Sequence, residues 1–361
     1  MTIPQPLRKF SGLVSAALAF TLAGCSSNDD SPGGGGTAGS AGSSNAAGSG
    51  NTAGSGNTAG SGNTAGSGNA GSNQTGPDEI VGTFQVQALV DEMDATTGMT
   101  KVVGQVGDGP IPANVVWTVT KTDGACVLET PAAPFCEEGC GAEVCVGENE
   151  CQPYPAGHSV GSVTLSGVNV TGGGASVMLK EIAKAYQPPA GTSFVYPPFA
   201  AGDDIKLEAT GGDYAAFDLA AKGVDPITFT STDFELDEGK PFVITWDAAA
   251  DPKASEVYVK IDISHHGGIR GMIECHSDDT GSLTISGETM TELIGLGVAG
   301  FPSVVLMRQS LDTAQIAPGR VRLEVSSRAE RYVTVAGVES CTVDEDCSDG
   351  KTCRTTDSTC Q

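Results

Sequence analysis

Val257-Tyr258-Val259-Lys260-Ile261-Asp262-Ile263 decides the fold class. Branched apolar residues alternate with polar ones, so one face is set for burial and the other for water, which is the period of a strand in a sheet. The same period runs outward in both directions. It appears in Thr83–Val90, Val115–Thr120, Val160–Val170, Ile205–Ala209 and Phe242–Trp246, and again in Ser282–Ile285, Val304–Met307, Val321–Val325 and Tyr332–Val335. Gly, Pro and Asp separate these runs, and short strands at such spacing predict an all-β head. One segment predicts a helix. Ser286 stands at its start, Glu288 in its first turn, and Met290, Leu293, Ile294 and Leu296 form an apolar stripe that ends at Gly297.

Residues 78–361 exceed what one core usually serves, which predicts two units. We place the boundary near Ser231, after the turn signals Gly211-Gly212-Asp213 and Gly223-Val224-Asp225-Pro226. The expected organisation is a β-sandwich over 78–231 with a Cys-rich insert at 126–151, an immunoglobulin-like β domain over 232–338, and a Cys-rich tail over 339–361. Trp246 is expected on an early strand of the second unit, facing its core.

The N-terminal fifth is different. Arg8 and Lys9 precede an apolar run, Ser11 to Ala23, that is shorter than the ~20 residues a membrane helix needs and suits a signal peptide over 1–24. Leu22-Ala23-Gly24-Cys25 resembles a bacterial lipobox, and the resemblance implies that the leader is cut away and that Cys25 carries fatty acids. Two or more acyl chains would hold the protein firmly to a membrane. Ser26 after the Cys, instead of Asp, implies the outer membrane. Residues 25–77 are almost wholly Gly, Ser, Asn, Ala and Thr, with G-S-G-N-T-A recurring from Gly48. Such a composition buries no apolar area and predicts a disordered tether with a reach of roughly 35–45 Å.

Forty-four acidic and nineteen basic residues give a net charge of −25, which repels phosphate backbones and excludes nucleic acid as a natural partner. Eleven cysteines include Cys25. The other ten, Cys126, Cys136, Cys140, Cys145, Cys151, Cys275, Cys341, Cys347, Cys353 and Cys360, are an even number in a chain expected outside the cytoplasm, which reads as a disulfide framework. Metal binding by the closely spaced Cys136 to Cys151 set is the alternative, against the absence of CxxC knuckles. The tail is expected to close two bridges within itself. Five cysteines then remain before the boundary and one, Cys275, after it. Either Cys275 reaches back and staples the two units, or it is a free buried thiol. Cys140-x4-Cys145-x5-Cys151-Gln152 echoes Cys347-x5-Cys353-x6-Cys360-Gln361.

The lipobox and tether, Pro134-Phe135-Cys136, the GDYAAFDL stretch from Gly212 and the tail CTVDEDCSDGKTC together resemble surface lipoproteins of myxobacterial type. The resemblance implies an outer-membrane or cell-surface address and a modular β architecture, and it implies no catalytic residues.

Candidate chemistry is sparse. His158 stands alone in a loop. His265 and His266, with His276 and Asp278, could form a two-His-plus-carboxylate metal site if a hairpin between Val257–Ile263 and Met272–Cys275 brought them together; the competing reading of His265-His266-Gly267-Gly268 is a polar turn. No HExxH and no G-x-S-x-G motif is present. Aromatics at 5% argue against a glycosidase and against a strong sugar-binding face. Asp344-Glu345-Asp346 with Asp349-Gly350 is out of register for an EF-hand, which leaves a weak calcium site or a solvated turn. The expected function is a lipid-anchored envelope protein that displays β domains for adhesion, recognition or structure, partnered by the membrane and an unidentified protein or glycan. A metal-dependent hydrolase is the alternative.

Overall fold

The structure is a computed structural model that describes residues 78–91, 96–113 and 115–361. The leader, Cys25 and the tether lie outside the described residues. In chain order the strands are β1 (Ile80–Val90), β2 (Gly98–Val106), β3 (Val116–Asp123), β4 (Cys126–Ala132), β5 (Val144–Gly147), β6 (Glu150–Gln152), β7 (Val163–Val170), β8 (Gly174–Ile182), β9 (Ala185–Gln187), β10 (Asp204–Ala209) and β11 (Phe217–Lys222). They continue as β12 (Glu235–Leu236), β13 (Phe242–Thr245), β14 (Glu256–Asp262), β15 (Met272–Asp278), β16 (Ser282–Ile285), β17 (Ser303–Gln315), β18 (Arg320–Tyr332), β19 (Thr334–Val335), β20 (Cys353–Arg354) and β21 (Thr359–Cys360), with the helix α1 (Gly287–Gly295) after β16.

The chain is all-β, as its alternation predicts. Thirteen strands share one sheet in the order β11-β10-β7-β8-β9-β2-β1-β18-β17-β14-β15-β4-β3. The sheet crosses the boundary expected near Ser231. The β3–β4 hairpin from before it pairs with β15 after it, and β1 pairs in parallel with β18. The described residues fall in one compact unit. Two separate apolar cores lie on this one sheet.

The first core lies within the half of the sheet that curls back on itself. Phe84, Val86, Leu165, Tyr186, Ile205, Leu207, Leu219, Leu323 and Val325 fill it. The edge strand β11 returns to β17, where Asp312 Oδ2 accepts the backbone N–H of Ala220 at 2.7 Å and Ser310 Oγ that of Lys222 at 3.0 Å. Side chains thus satisfy an edge that would otherwise offer unpaired donors. The second core lies under β14, β15, β4 and the first half of β17. Val257, Val259, Ile261, Ile273, Val304 and Leu306 face a cover made by the β13–β16 and β12–β19 pairs and α1, which contribute Phe242, Ile244, Trp246, Ile285, Met290 and Leu293. Each such side chain contributes roughly 1.5–3 kcal/mol of burial.

The helix starts where its sequence says. Ser286 Oγ accepts from Thr289 N at 3.3 Å, and Asp123 of β3 accepts from Ser286 N at 2.8 Å and Thr289 Oγ1 at 2.9 Å. The backbone N–H of Ser286 above all holds the Asp123 carboxyl below its usual range.

Ten cysteines form five disulfides. Cys126–Cys275 joins directly opposed residues of β4 and β15 inside the second core. Cys136–Cys145 and Cys140–Cys151 close the insert, and Cys341–Cys353 and Cys347–Cys360 close the tail. Insert and tail share an interleaved first-to-third, second-to-fourth connectivity, and each sets its last two cysteines opposite one another in a short hairpin, β5–β6 or β20–β21. The echo in spacing is therefore an echo in structure.

Candidate functional site on the open face of the sheet

Alternation that buries one face of β1, β18, β17, β14 and β15 sends the remaining residues to the other. On that open face stand Gln85 and Gln87 of β1, Glu324, Ser326 and Arg328 of β18, Val305, Met307 and Gln309 of β17, Tyr258 and Lys260 of β14, and Glu274 and His276 of β15. Register places Gln85 against Glu324, Gln87 against Ser326, Met307 against Tyr258, and Tyr258 against His276.

These polar groups are not simply solvated. Glu324 is 6% exposed and Ser326 0%. Glu324 accepts from Gln85 Nε2 at 3.4 Å and Ser326 Oγ at 3.3 Å, while Gln87 Nε2 donates to Ser326 Oγ at 3.4 Å. Arg328 pairs with Glu330 at 2.8 Å and Lys260 with Asp262 at 3.5 Å. Tyr258 OH donates to Glu274 Oε1 at 2.6 Å; burial, then the Glu274 carboxylate, pushes the phenol well above its usual range. Burial and the neighbouring Glu274 charge raise the Glu129 carboxyl. Gln85, Gln87 and Tyr258 frame a groove of about 600 Å³, with Val305, Met307 and Leu89 as apolar wall and the cations Lys101, Lys260 and Arg328 balanced by Asp262, Glu324 and Glu330. Its size falls within the range of small-ligand sites, roughly 300–1,000 Å³.

The histidines do not converge. The expected hairpin forms between β14 and β15, but its register sets His276 opposite Tyr258. From there β14 runs four further residues, roughly 13 Å at ~3.3 Å each, before the turn that carries His265 and His266. His276 Nδ1 instead meets Glu256. That hydrogen bond raises the His276 pKa and lowers that of Glu256. His265 lines the end of the groove, and the rings of His265 and His266 lie with centroids 4.0 Å apart, tilted by 57°, in a polar turn. The glycine after them is explained by close approach: a Cβ on Gly267 would fall 2.2 Å from the backbone N of Gly300. Asp278 is exposed at the end of β15. His158 lies between Asp108 and Asp213 at 3.7 and 3.3 Å and against the Tyr214 ring at 5.1 Å. Sulfurs of Cys136, Cys140 and Cys145 lie within 4.8 Å of one another, yet each is committed to a disulfide. In the acidic tail, Asp346 accepts from Thr342 and Val343 and Asp344 from Cys353 N, so both carboxylates cap local backbone.

Composition did not single out the buried ion pair. Asp279, fully buried, accepts from Trp246 Nε1 at 2.7 Å, Ser255 Oγ at 3.0 Å and Arg308 Nε at 2.5 Å. Arg308 also donates to the carbonyls of Asp225 and Asp247 at 3.2 and 2.6 Å. Burial alone would raise the Asp279 carboxyl; Arg308 and Trp246 more than reverse this and hold it low. Its role is to tie β13, β15 and β17 together behind the groove. No described helix is long and apolar enough to cross a membrane. No family model matches this chain, and no curated protein is similar to it.

Proposed function

We propose that this chain is an exported, lipid-anchored envelope protein whose β head works by recognition, with the open-face groove as its binding surface. The observation that carries the reading is the set of buried polar side chains on a face that faces away from both cores. Side-chain networks of this kind are costly unless fully satisfied, and they hold donors and acceptors in fixed positions. Every backbone group beneath them is spent in the sheet ladder, so recognition falls to the amides, carboxylates and cations of the groove. The address rests on the Cys25 lipobox and on five disulfides, which suit an oxidising compartment. The immunoglobulin-like description is proposed for the second core, where two layers of β structure enclose the buried Trp246.

The test uses the full-length protein and a Glu324→Ala/Arg328→Ala double variant, both solubilised in detergent and incubated with isolated cell envelopes. Saturable retention of the parent and its loss in the variant is expected. Equal retention of both removes the groove from the function. Mass spectrometry of the mature N-terminus tests the anchor separately: a leader still attached, or a Cys25 without fatty acid, refutes it.

A further inference from the structure

At one end of the open face lies a second depression, about 290 Å³ in volume, between β1, β2 and the loops after β2 and β6. Val103, Ile111 and Pro155 form its apolar side; Thr83, Gln105 and Arg322 form its polar side. Register sets Arg322 of β18 beside Thr83 of β1 on one flank and Thr313 of β17 on the other, with no acid directly across. In this strongly acidic chain Arg308, Arg320, Arg328 and Arg354 each pair with a carboxylate. Arg322 makes no ion pair among the described residues, and its buried Nε has no hydrogen-bond partner.

We propose that this depression binds a small monocarboxylate with a compact apolar body, held by the Arg322 guanidinium. A guanidinium fork matches a carboxylate with two parallel hydrogen bonds, and Arg322 pairs with no acid among the described residues, so its terminal N–H groups are left for an acceptor from outside the chain. A net charge of −25 disfavours a dianion such as phosphate and tolerates a single charge. The volume admits a few carbon atoms beside the carboxyl group, and Val103, Ile111 and Pro155 supply the surface that buries them. The carboxylate's source is either a free acid or the end of a peptide, and the chemistry is the same. This site adjoins the larger groove, with Gln85 lining both, and its assignment stands or falls independently of the groove's role.

The experiment is calorimetric titration of the full-length protein in detergent with isovalerate, isoamyl alcohol, inorganic phosphate and N-acetyl-leucine. Isovalerate or N-acetyl-leucine is expected to bind, whichever is tighter marking the source, while the alcohol and phosphate bind at least about tenfold more weakly. Arg322→Gln should abolish binding and Arg322→Lys retain part of it. Ile111 is 75% exposed, so Ile111→Glu keeps the fold and should weaken binding by placing a like charge at the apolar side. Alcohol binding as tightly as the acid, or Arg322→Gln binding like the parent, overturns the assignment, as does the absence of binding by both acids.

Discussion

Replacing Cys126 and Cys275 together by alanine separates what the sheet contributes from what its crosslink contributes. The bridge closes a loop of 149 residues, by far the longest in the molecule. In the chain-entropy account such a loop removes about 5 kcal/mol of freedom from the unfolded state. The insert bridges lie inside this loop and, being interleaved, shorten it by about ten residues, which changes the figure by less than about 0.1 kcal/mol because the dependence is logarithmic. The tail bridges, at separations of 12 and 13, give about 3 kcal/mol each by the same relation. Both sulfurs of the long bridge are buried in the second core, so alanine adds a small cavity to the entropic loss. Equilibrium urea unfolding, followed by tryptophan fluorescence because Trp246 sits in the affected core, should show the double variant about 4–6 kcal/mol less stable than the parent. The Cys347→Ala/Cys360→Ala pair should loosen the tail and leave that transition nearly in place. A loss below about 1.5 kcal/mol in the first variant, or equal losses in both, would show that loop closure is not what the long bridge supplies.

Three further outcomes follow from the contacts. Arg308→Met leaves Asp279 charged and fully buried and should cost about 3–5 kcal/mol in the same assay, with much of it recovered by adding Asp279→Leu; a loss under about 1 kcal/mol would remove the ion pair from the account. Ser286→Ala deletes the side chain that caps α1 and should cost about 1 kcal/mol, whereas Ser286→Asp should restore most of it; equal stability of all three proteins would mean the cap is idle. His276 has its pKa raised by Glu256, so its contribution is complete below the unfolded value of about 6.5 and is lost as pH rises through the higher folded value. Glu256, lowered by the same contact, contributes fully above its unfolded value of about 4.5 and loses that contribution as pH falls through its folded value. The stability gap between parent and His276→Ala should therefore be widest between about pH 4.5 and 6.5 and close toward alkaline pH; a gap as wide at alkaline pH as in that window refutes the pairing.

Strands with one clean apolar face were legible because burial imposes the period. Val257–Ile263 and Thr83–Val90 are of this kind. β8 blurs the signal, since Met178 and Ile182 are apolar but 63% and 45% exposed, and β11 hides it by using Ala221 as an inward residue. Pairing was not legible. β1 and β18 meet across more than two hundred residues, and nothing local in Thr83–Val90 names its neighbour. The hairpin that carries His276 was readable from alternation, but its register was not, and a shift of a few residues separates a metal site from the observed Glu256 contact. Alternation does place Gln85, Glu324 and Tyr258 on wet faces of their strands. Only the strand order turns those separate wet faces into one groove.

That order explains why the polar groove and the buried ion pair occur at the same level of the sheet. β17 and β18 are thirteen residues each, long enough for the two cores to share them end to end. Val304 and Leu306 serve the second core, while Val321, Leu323 and Val325 serve the first. On the shared face the stretch between the cores carries Arg308, opposite Ser327, instead of a hydrophobic side chain. Ser327 Oγ accepts from Ile227 N, and Arg308 reaches the carbonyl of Asp225, so the segment linking the two halves is fixed there by polar contacts. An apolar residue at 308 would satisfy the packing but leave the Asp279 charge and the Asp225 and Asp247 carbonyls without their donor. Directly behind this point, on the other face, Met307 and Ser326 hold Gln87 at the centre of the groove. A polar-bonded seam between two cores is thus the backing of the groove proposed as the recognition surface. Arg308→Met should accordingly disturb envelope retention as well as stability, whereas the Cys347→Ala/Cys360→Ala pair, remote from the seam, should leave retention unchanged.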